Sequence, residues 1–552
     1  MMPVSANVSA GFLVDRRLRI PVDPLCYAMV GLLAIMLRWP FFGHPAADCD
    51  EQIYQLIGER MLDGALPYID IWDRKPIGLF LIFALANLIG GAGPLPYQIL
   101  ACVAAVGGGM LVYHLAKRFT DGMGALVAGM LYVLYLSVFE GRIGQTEVFF
   151  VPLLIAMASL TVRMFQTVDS DAVHRLGLFA MALGGVTLQI KYTALPQCIL
   201  FGVLALARQV HLGIRPSVLA TRCVIYGAAG LLPTGIAISI YTYIGHVDAY
   251  IYANFLSIFS RGVVDQAVTD NYLFHIIARS TPLFLAALVG VVNYISRVGR
   301  NTPLYLVIVG WTASAVTGSV MIGNFYIHYF SPIVPGLIIL AAPALSRTWA
   351  GATLSALCLY SGFFLLAQED RTAMAREDWQ GYDKMLRAVA PYVAPERGEC
   401  LYIFDGPTSL YRDTHSCLPT IYAYPDHLSN SVEVRSIGVD TSAEMARILK
   451  TRPAVIITAS EHIVPSYNKA TAAQVDRAVA QAYVRVGSYT NMRRMLYVNV
   501  RQDLLRAERP ASPDSLVRRT SSSGAPDVRQ ARAGETTATY RKRVLAGRFA
   551  LS

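Results

Sequence analysis

A chain of 552 residues that is 54% hydrophobic and only 15% charged, with a mean hydropathy of +0.44, is not a soluble globular protein, in which about 25% of residues are charged and apolar runs of about 20 do not recur. The net charge of +10 does not point to nucleic acid, because much of it lies in short loops between apolar segments and in the C-terminal tail, where topology and attraction to anionic lipid account for it. Eight cysteines are scattered singly, without a CxxC or Cys/His cluster, so there is no zinc or iron–sulfur signature.

The first apolar run, 24–42, follows Arg16, Arg17 and Arg19, and no small-residue cleavage site closes it; it is expected to be a retained span. Further spans are expected at 95–116, 123–139, 148–166, 174–190, 192–208, 222–245, 277–297, 303–322, 329–346 and 350–367, each about long enough for a tilted or slightly short crossing helix. The run from Ile77 to Ile89 offers only about 13 residues before Gly90-Gly91 and suits an interfacial or re-entrant segment better. If it does not cross, Lys117-Arg118, His174-Arg175, Arg208 to Arg222, Arg297 to Arg300 and Arg347 all share the side of the basic N-terminus. The positive-inside rule therefore favours about eleven spans, N-terminus in and C-terminus out.

That parity sets the domain plan. Residues 1–23 form a cytoplasmic N-terminus, and 24–367 a transmembrane domain whose first outer loop is 43–94. In 368–502 helical patterns (Trp379 to Val393, Ser442 to Leu449) alternate with strand-like runs (Cys400 to Phe404, Ala454 to Thr458, Met495 to Val500), which reads as a small soluble α/β domain on the outer face. Cys400 and Cys417 within it could pair in an oxidising compartment. Residues 503–552, rich in Arg, Ser, Ala and Pro, are expected to be disordered. The expected fold class is thus an all-α polytopic membrane protein with amphipathic interfacial helices in its first outer loop, plus a small C-terminal α/β domain.

The densest charge lies in that loop, from Asp48 to Gly78: DCDEQIYQLIGERMLDGALPYIDIWDRKPIG. Charge beside hydrocarbon is costly unless paired or hydrated, so such a cluster suggests a working site. Asp48-x-x-Glu51 reads as an acidic capping box opening a helix to Leu62. Ile53, Leu56, Ile57 and Met61 give that helix one apolar face, as for a helix lying on the membrane, and Gly64 stops it. Asp50 is then left as a carboxylate at the helix start, where a cap contribution and a catalytic role are both open. Arg74 and Lys75 are either snorkelling anchors or ligands for a lipid phosphate. The same two readings hold for Lys191, which sits between two apolar runs with no loop to spare. Glu147 either complements the dipole of the helix it opens or works in a site. His328-Tyr329 begins the tenth span. Loop 246–276 carries His246, Asp248, Arg261, Asp265, Asp270 and His275 without diagnostic spacing.

The loop, however, resembles the first outer loop of GT-C glycosyltransferases of the protein O-mannosyltransferase and aminoarabinose transferase group (glycosyltransferase family 39 and bacterial relatives). That loop reads Asp-Glu, a helix ending in a basic residue and Leu-x-Gly, then Pro-Tyr-x-Asp and Lys-Pro-Pro. GRIGQTEVFF resembles the group's second-loop acidic motif, QIKYTALP its Thr-Lys-x-x-Ala element and HYFSPIVPGL its late His-Tyr-x-x-Pro-x-x-Pro span. The matches run in family order over about the first 345 residues. Ile77 replaces the second Pro, and Arg74 stands where some relatives carry a metal-holding Glu.

The resemblance implies transfer of a sugar from a polyprenyl-phosphate carrier to an acceptor hydroxyl on the periplasmic face of a bacterial inner membrane, with inversion. It makes Asp50 the base, Glu147 an acceptor- or water-orienting acid, and Lys75, Lys191, Arg142 and Arg74 candidate ligands of the donor phosphate. Glu51, Tyr68, His328 and Tyr329 would support them. The implied partners are the lipid-linked donor, a glycolipid, polysaccharide or protein acceptor, and membrane lipid, with no nucleic acid. No cofactor is required by the sequence, and a divalent metal stays open. A transporter or flippase of polyprenyl-linked sugars is the alternative; it would spread polar residues through the spans, whereas here they gather at one face.

Overall fold

The computed structural model of the chain describes residues 24–298, 303–321 and 323–507. Of the tail expected to be disordered, 503–552, the first residues continue a short helix, Gln502–Ala507; the rest of it, the expected cytoplasmic N-terminus and Arg300 of the basic loop lie outside the described residues. The described residues through Gln502 form one compact unit.

The helices follow the apolar runs: α1 (Pro24–Arg38), α2 (Asp50–Leu62), α3 (Ile77–Gly90), α4 (Leu95–Ala116), α5 (Gly122–Val138), α6 (Thr146–Phe165), α7 (Ser170–Leu188), α8 (Leu195–His211), α9 (Pro216–Tyr243), the short α10 (Val247–Ile251), α11 (Gln266–Val298), α12 (Pro303–Val320), α13 (Ile333–Ala341), α14 (Trp349–Glu369) and α15 (Arg371–Val389). Local chemistry sets their ends. Asp121 caps α5 by accepting from Gly124 N at 2.9 Å, and Thr348 caps α14 by accepting from Gly351 N at 3.2 Å, each satisfying an otherwise orphaned donor. Proline occupies the first turn of α4, α8 and α9, where its missing N–H costs nothing. Seven helical stretches among the described residues are long and apolar enough to cross a membrane, and four shorter apolar helices, α3 among them, accompany them. Helix α13 is buried along its whole length and α5 along nearly all of it, so these form the middle of the bundle. Helices α9 and α11 turn Leu231, Leu232, Phe284 and Leu288 outward, the surface expected toward lipid.

Two glycines let backbones touch where the site is built. A Cβ on Gly58 of α2 would fall 2.7 Å from the Ala84 nitrogen of α3, so α2 lies directly on α3. A Cβ on Gly78 would fall 2.6 Å from the Gln189 carbonyl oxygen, which accepts from Leu79 N at 3.1 Å. The first turn of α3 is thereby seated on the vertex between α7 and α8.

After α14, Asp370 adopts a left-handed conformation (φ 55°) and the chain enters α15 and a four-stranded sheet: β1 (Leu401–Ile403), β2 (Val455–Ala459), β3 (Tyr483–Asn491) and β4 (Arg494–Arg501), in the order β1-β2-β4-β3. Strands β3 and β4 form a hairpin whose tip residues Met492 and Arg493 both have positive φ, the turn that matches strand twist. Strands β1 and β2 run parallel, and parallel neighbours need a long crossover. That crossover, 404–454, reaches the membrane domain. Cys400 and Cys417 are disulfide-bonded at its start.

The structure corrects the reading of α2. The helix is where the pattern puts it, but residues 51–58 are buried on every side, so it does not lie on a bilayer with one face in solvent. Gln52 accepts from both Ser409 N and Ser409 Oγ at 3.1 Å. Gln55 donates to Asn87 Oδ1 at 2.8 Å, and Arg60 to the Ser416 carbonyl at 2.9 Å. No capping box forms either. Asp48 accepts from the adjacent Cys49 N, while Glu51 reaches away to accept from Gly144 N at 2.6 Å.

Candidate active site

Between the first loop, the membrane helices and the crossover lies a cavity of about 530 Å³. The turn that delivers Lys75 to it is built locally. Asp73 Oδ1 accepts from Lys75 N at 2.9 Å, an Asx turn, and Pro76 holds the extended backbone that leads into α3. Tyr68, at φ 71°, is an aromatic in a region that side chains rarely occupy; from there its hydroxyl donates to the Lys75 carbonyl at 2.8 Å. Tyr68 itself does not line the cavity. Because Gly78 seats this turn against Gln189, Lys75 and Lys191 face the same space.

Asp50, at the first turn of α2, also lines the cavity. Tyr424 of the crossover donates to its Oδ1 at 2.8 Å and Tyr54 to its Oδ2 at 3.2 Å. Burial pushes its pKa up, but the charges of Lys75 and His328, the Tyr424 bond and Lys191 outweigh burial and hold the carboxyl at about 2. It is an anion throughout the physiological range. The Lys75 ammonium has no ion-pair partner among the described residues and lies 5.4 Å from the Tyr54 ring centroid. Burial lowers its pKa, yet Asp50 and Asp73 more than compensate, and the net shift is upward. A half-buried, protonated amine lining a cavity has the charge to receive an anion.

The other cations are engaged. Lys191 is ion-paired to Glu147, its Nζ 4.0 Å above the Tyr329 ring; Glu147 is fully buried and does not line the cavity. Arg74 donates to Glu433 Oε1 at 2.8 Å, Arg261 donates to the same oxygen at 2.8 Å, and Ser436 joins them. These two guanidiniums overcome burial and keep Glu433 far below the usual carboxylate range. His328 Nδ1 lies 3.2 Å from Glu140 Oε2. Burial disfavours its charge, but that bond and the nearby Glu147 raise its pKa to about 9. Arg142 is drawn away altogether: it pairs with Glu369, which also takes Arg279 at 2.6 Å, and it does not line the cavity. Glu51 likewise stays outside, buried, its carboxyl pushed well up by burial first and Asp48 second.

The structure therefore brings Asp50, Lys75, Lys191, Arg74, His328 and Tyr329 into one cavity and leaves Glu147, Arg142, Glu51 and Tyr68 behind it. Of the charges in loop 246–276 only Arg261 lines it. Tyr424, Asp426 and Glu433 also line it and are not legible in the sequence, because only the β1–β2 crossover brings them there. Asp426 is raised to about 7, chiefly by burial and then by Asp50. No group of three or more His, Cys, Asp or Glu among the described residues is set to hold a metal ion.

This is the architecture of a membrane protein with the GT-C glycosyltransferase fold. Over 86% of this chain and 98% of the other, the structure is similar to that of ArnT from Cupriavidus metallidurans bound to undecaprenyl phosphate, at 12% identity and a TM-score of 0.53. Residues 74–233 match the family model of dolichyl-phosphate-mannose-protein mannosyltransferases, a stretch that begins at Arg74 and contains Lys75, Glu147 and Lys191 but not Asp50. The sequence resemblance to that group of transferases holds on these two findings. The archaeal oligosaccharyltransferase AglB from Archaeoglobus fulgidus, in complex with an inhibitory peptide and a dolichol-phosphate, overlaps 79% of this chain and 69% of its own at 10% identity, with a TM-score of 0.47, too distant to bear on the chemistry of this chain. No curated protein matches the chain.

Proposed function

We propose that this protein transfers a sugar from a polyprenyl-phosphate carrier to an acceptor hydroxyl at the periplasmic face of a bacterial inner membrane, in the assembly of an envelope glycan or glycolipid. The observation that carries the reading is the presence, in one cavity, of an ionised carboxylate and a lysine that forms no direct ion pair among the described residues. In the reaction the acceptor oxygen attacks the anomeric carbon and gives its proton to Asp50. The bond from that carbon to the phosphate oxygen breaks as the new one forms, and the lipid phosphate leaves with the electron pair. Lys75 meets the charge that develops on it, as fixed cations do in a water-poor site. In-line attack inverts the anomeric centre.

Three further points support the reading. ArnT was crystallised with undecaprenyl phosphate, a ligand of this chemistry. The Cys400–Cys417 disulfide suits an oxidising compartment, and the charge asymmetry of the loops agrees with the same face being outside. Lys191 with Glu147, and Arg74 with Arg261 and Glu433, then set the field around the phosphate. The test is Asp50→Asn in the purified protein: transfer is expected to fall by about 10²–10⁴-fold, the range for a lost general base, while the lipid phosphate still binds. Full transfer by this variant would sink the assignment.

A further inference from the structure

We propose that Tyr424, delivered by the C-terminal domain, is a positioning residue for the Asp50 carboxylate, so that this domain completes the catalytic centre. The inference rests on the reading of Asp50 as the base.

The carboxylate is held from two sides. Asp50 accepts from two tyrosines, one on each oxygen. Tyr54 comes from the same helix, one turn on, at 3.2 Å, whereas Tyr424 comes from 374 residues away at 2.8 Å and makes the shorter bond. A single donor leaves a carboxylate free to rotate about its last torsion, which is soft. Donors on both oxygens fix its plane, and so fix which lone pair faces the cavity.

The crossover that carries Tyr424 is itself tied down beside the site. Trp72 N donates to the Ile421 carbonyl at 2.9 Å, joining the first loop to the domain three residues before Tyr424. Beyond it, Glu433 is held by Arg74 and Arg261. His427 packs edge-on to both Trp72 and Tyr424, at 4.7 and 5.4 Å between ring centroids. The tyrosine is clamped on both sides, as a positioning residue must be.

Its chemistry suits the role. Burial, then Asp426 and Asp50, push the Tyr424 hydroxyl well above its usual range, so it stays a donor at every working pH. Around Asp50 it is one influence among several. Lys75, His328 and Lys191 favour the carboxylate, while Asp48, Asp73 and Asp426 repel it.

Tyr424→Phe keeps the ring and its packing and removes only the hydroxyl, so the variant is expected to fold. Purified full-length protein is returned to membranes from cells lacking it, supplied with the same cells' polyprenyl-phosphate lipid extract, and product is followed by mass spectrometry. The expected result is a roughly 10- to 100-fold fall in rate at saturating lipid, as for a lost hydrogen bond to a charged group, with the lipid concentration at half-maximal rate unchanged. Because the Asp50 carboxyl is held at about 2, no acidic limb is expected in the working range, and the discriminating readout is the split between a lower saturated rate and an unchanged half-maximal lipid concentration. A wild-type rate, or a lower rate accompanied by an equally raised half-maximal lipid concentration, would overturn the positioning role while leaving the base assignment intact. Activity in Asp50→Asn run alongside would overturn both.

Discussion

Two acid–lysine pairs stand at the cavity, one with its acid behind the wall, and they are built differently. Glu147 and Lys191 are in direct contact, both buried, with Thr146 beside them. Asp50 and Lys75 feel each other's charge but form no ion pair. A closed pair has spent its charge on itself. An open pair keeps a carboxylate for a proton and an ammonium for an anion, provided other groups hold the two apart. Here Tyr54 and Tyr424 hold the acid, while the Asx turn of Asp73 and the Tyr68 bond hold the lysine. On the proposed function, the open pair carries the chemistry and the closed pair the field and architecture.

Removing each lysine in turn should break the comparison if it is wrong. Lys75→Gln is expected to lower the transfer rate by about 10²–10³-fold, the range for losing one charge-stabilising group from a transition state. Lys191→Met should cost less than about tenfold in rate per folded protein, since Glu147 already neutralises that charge, although the Glu147 carboxylate left buried without its lysine lowers stability. Initial rates at saturating donor decide between them.

The closed pair should declare itself in stability. Glu147→Gln leaves the Lys191 ammonium buried without its acid, which typically costs about 3–5 kcal/mol, and is expected to lower the thermal midpoint clearly. Replacing both with apolar residues of similar volume should recover most of that loss. Scanning fluorimetry of the single and double variants measures it, and a single variant as stable as the wild type would contradict the structural role.

A smaller effect is expected with pH. His328 is raised from 6.5 to about 9, with burial opposed by the Glu140 bond and the Glu147 charge. A group whose folded pKa is raised contributes stability that is full below its unfolded value and lost as pH rises through the folded one. The wild-type midpoint should therefore decline between about pH 6.5 and 9, and the decline should be shallower in His328→Gln. Asp50, held at about 2, should impose no acidic limb in the physiological range.

How much of this the sequence carries depends on the reach of each contact. Crossing helices need only length and apolar content, so the run 95–116 is α4 to the residue. The Lys75 turn is likewise local: Asp73, Lys75 and Pro76 are consecutive enough to read. Helix α2 shows the limit. Its apolar spacing is that of a surface helix, yet Gln52 and Arg60 are hydrogen-bonded by Ser409 and Ser416, more than 350 residues on. The Asp48-x-x-Glu51 pattern misleads for the same reason, because Gly144 N competes for Glu51 and wins. Arg142 stands in a family-like motif but meets Glu369 instead of the cavity. Tyr424 has no local signature at all, since only the parallel pairing of β1 with β2 routes its segment to Asp50.

The most direct test of the open pair is the affinity of the purified protein for polyprenyl phosphate without a sugar, compared among wild type, Lys75→Gln and Lys191→Met at one ionic strength. If Lys75 is the receptor for the departing phosphate, its loss weakens binding at least about tenfold, as expected for a charge-assisted contact, and the Lys191 variant stays within about threefold of wild type. Wild-type affinity in Lys75→Gln, with the loss falling on Lys191→Met, would contradict the account.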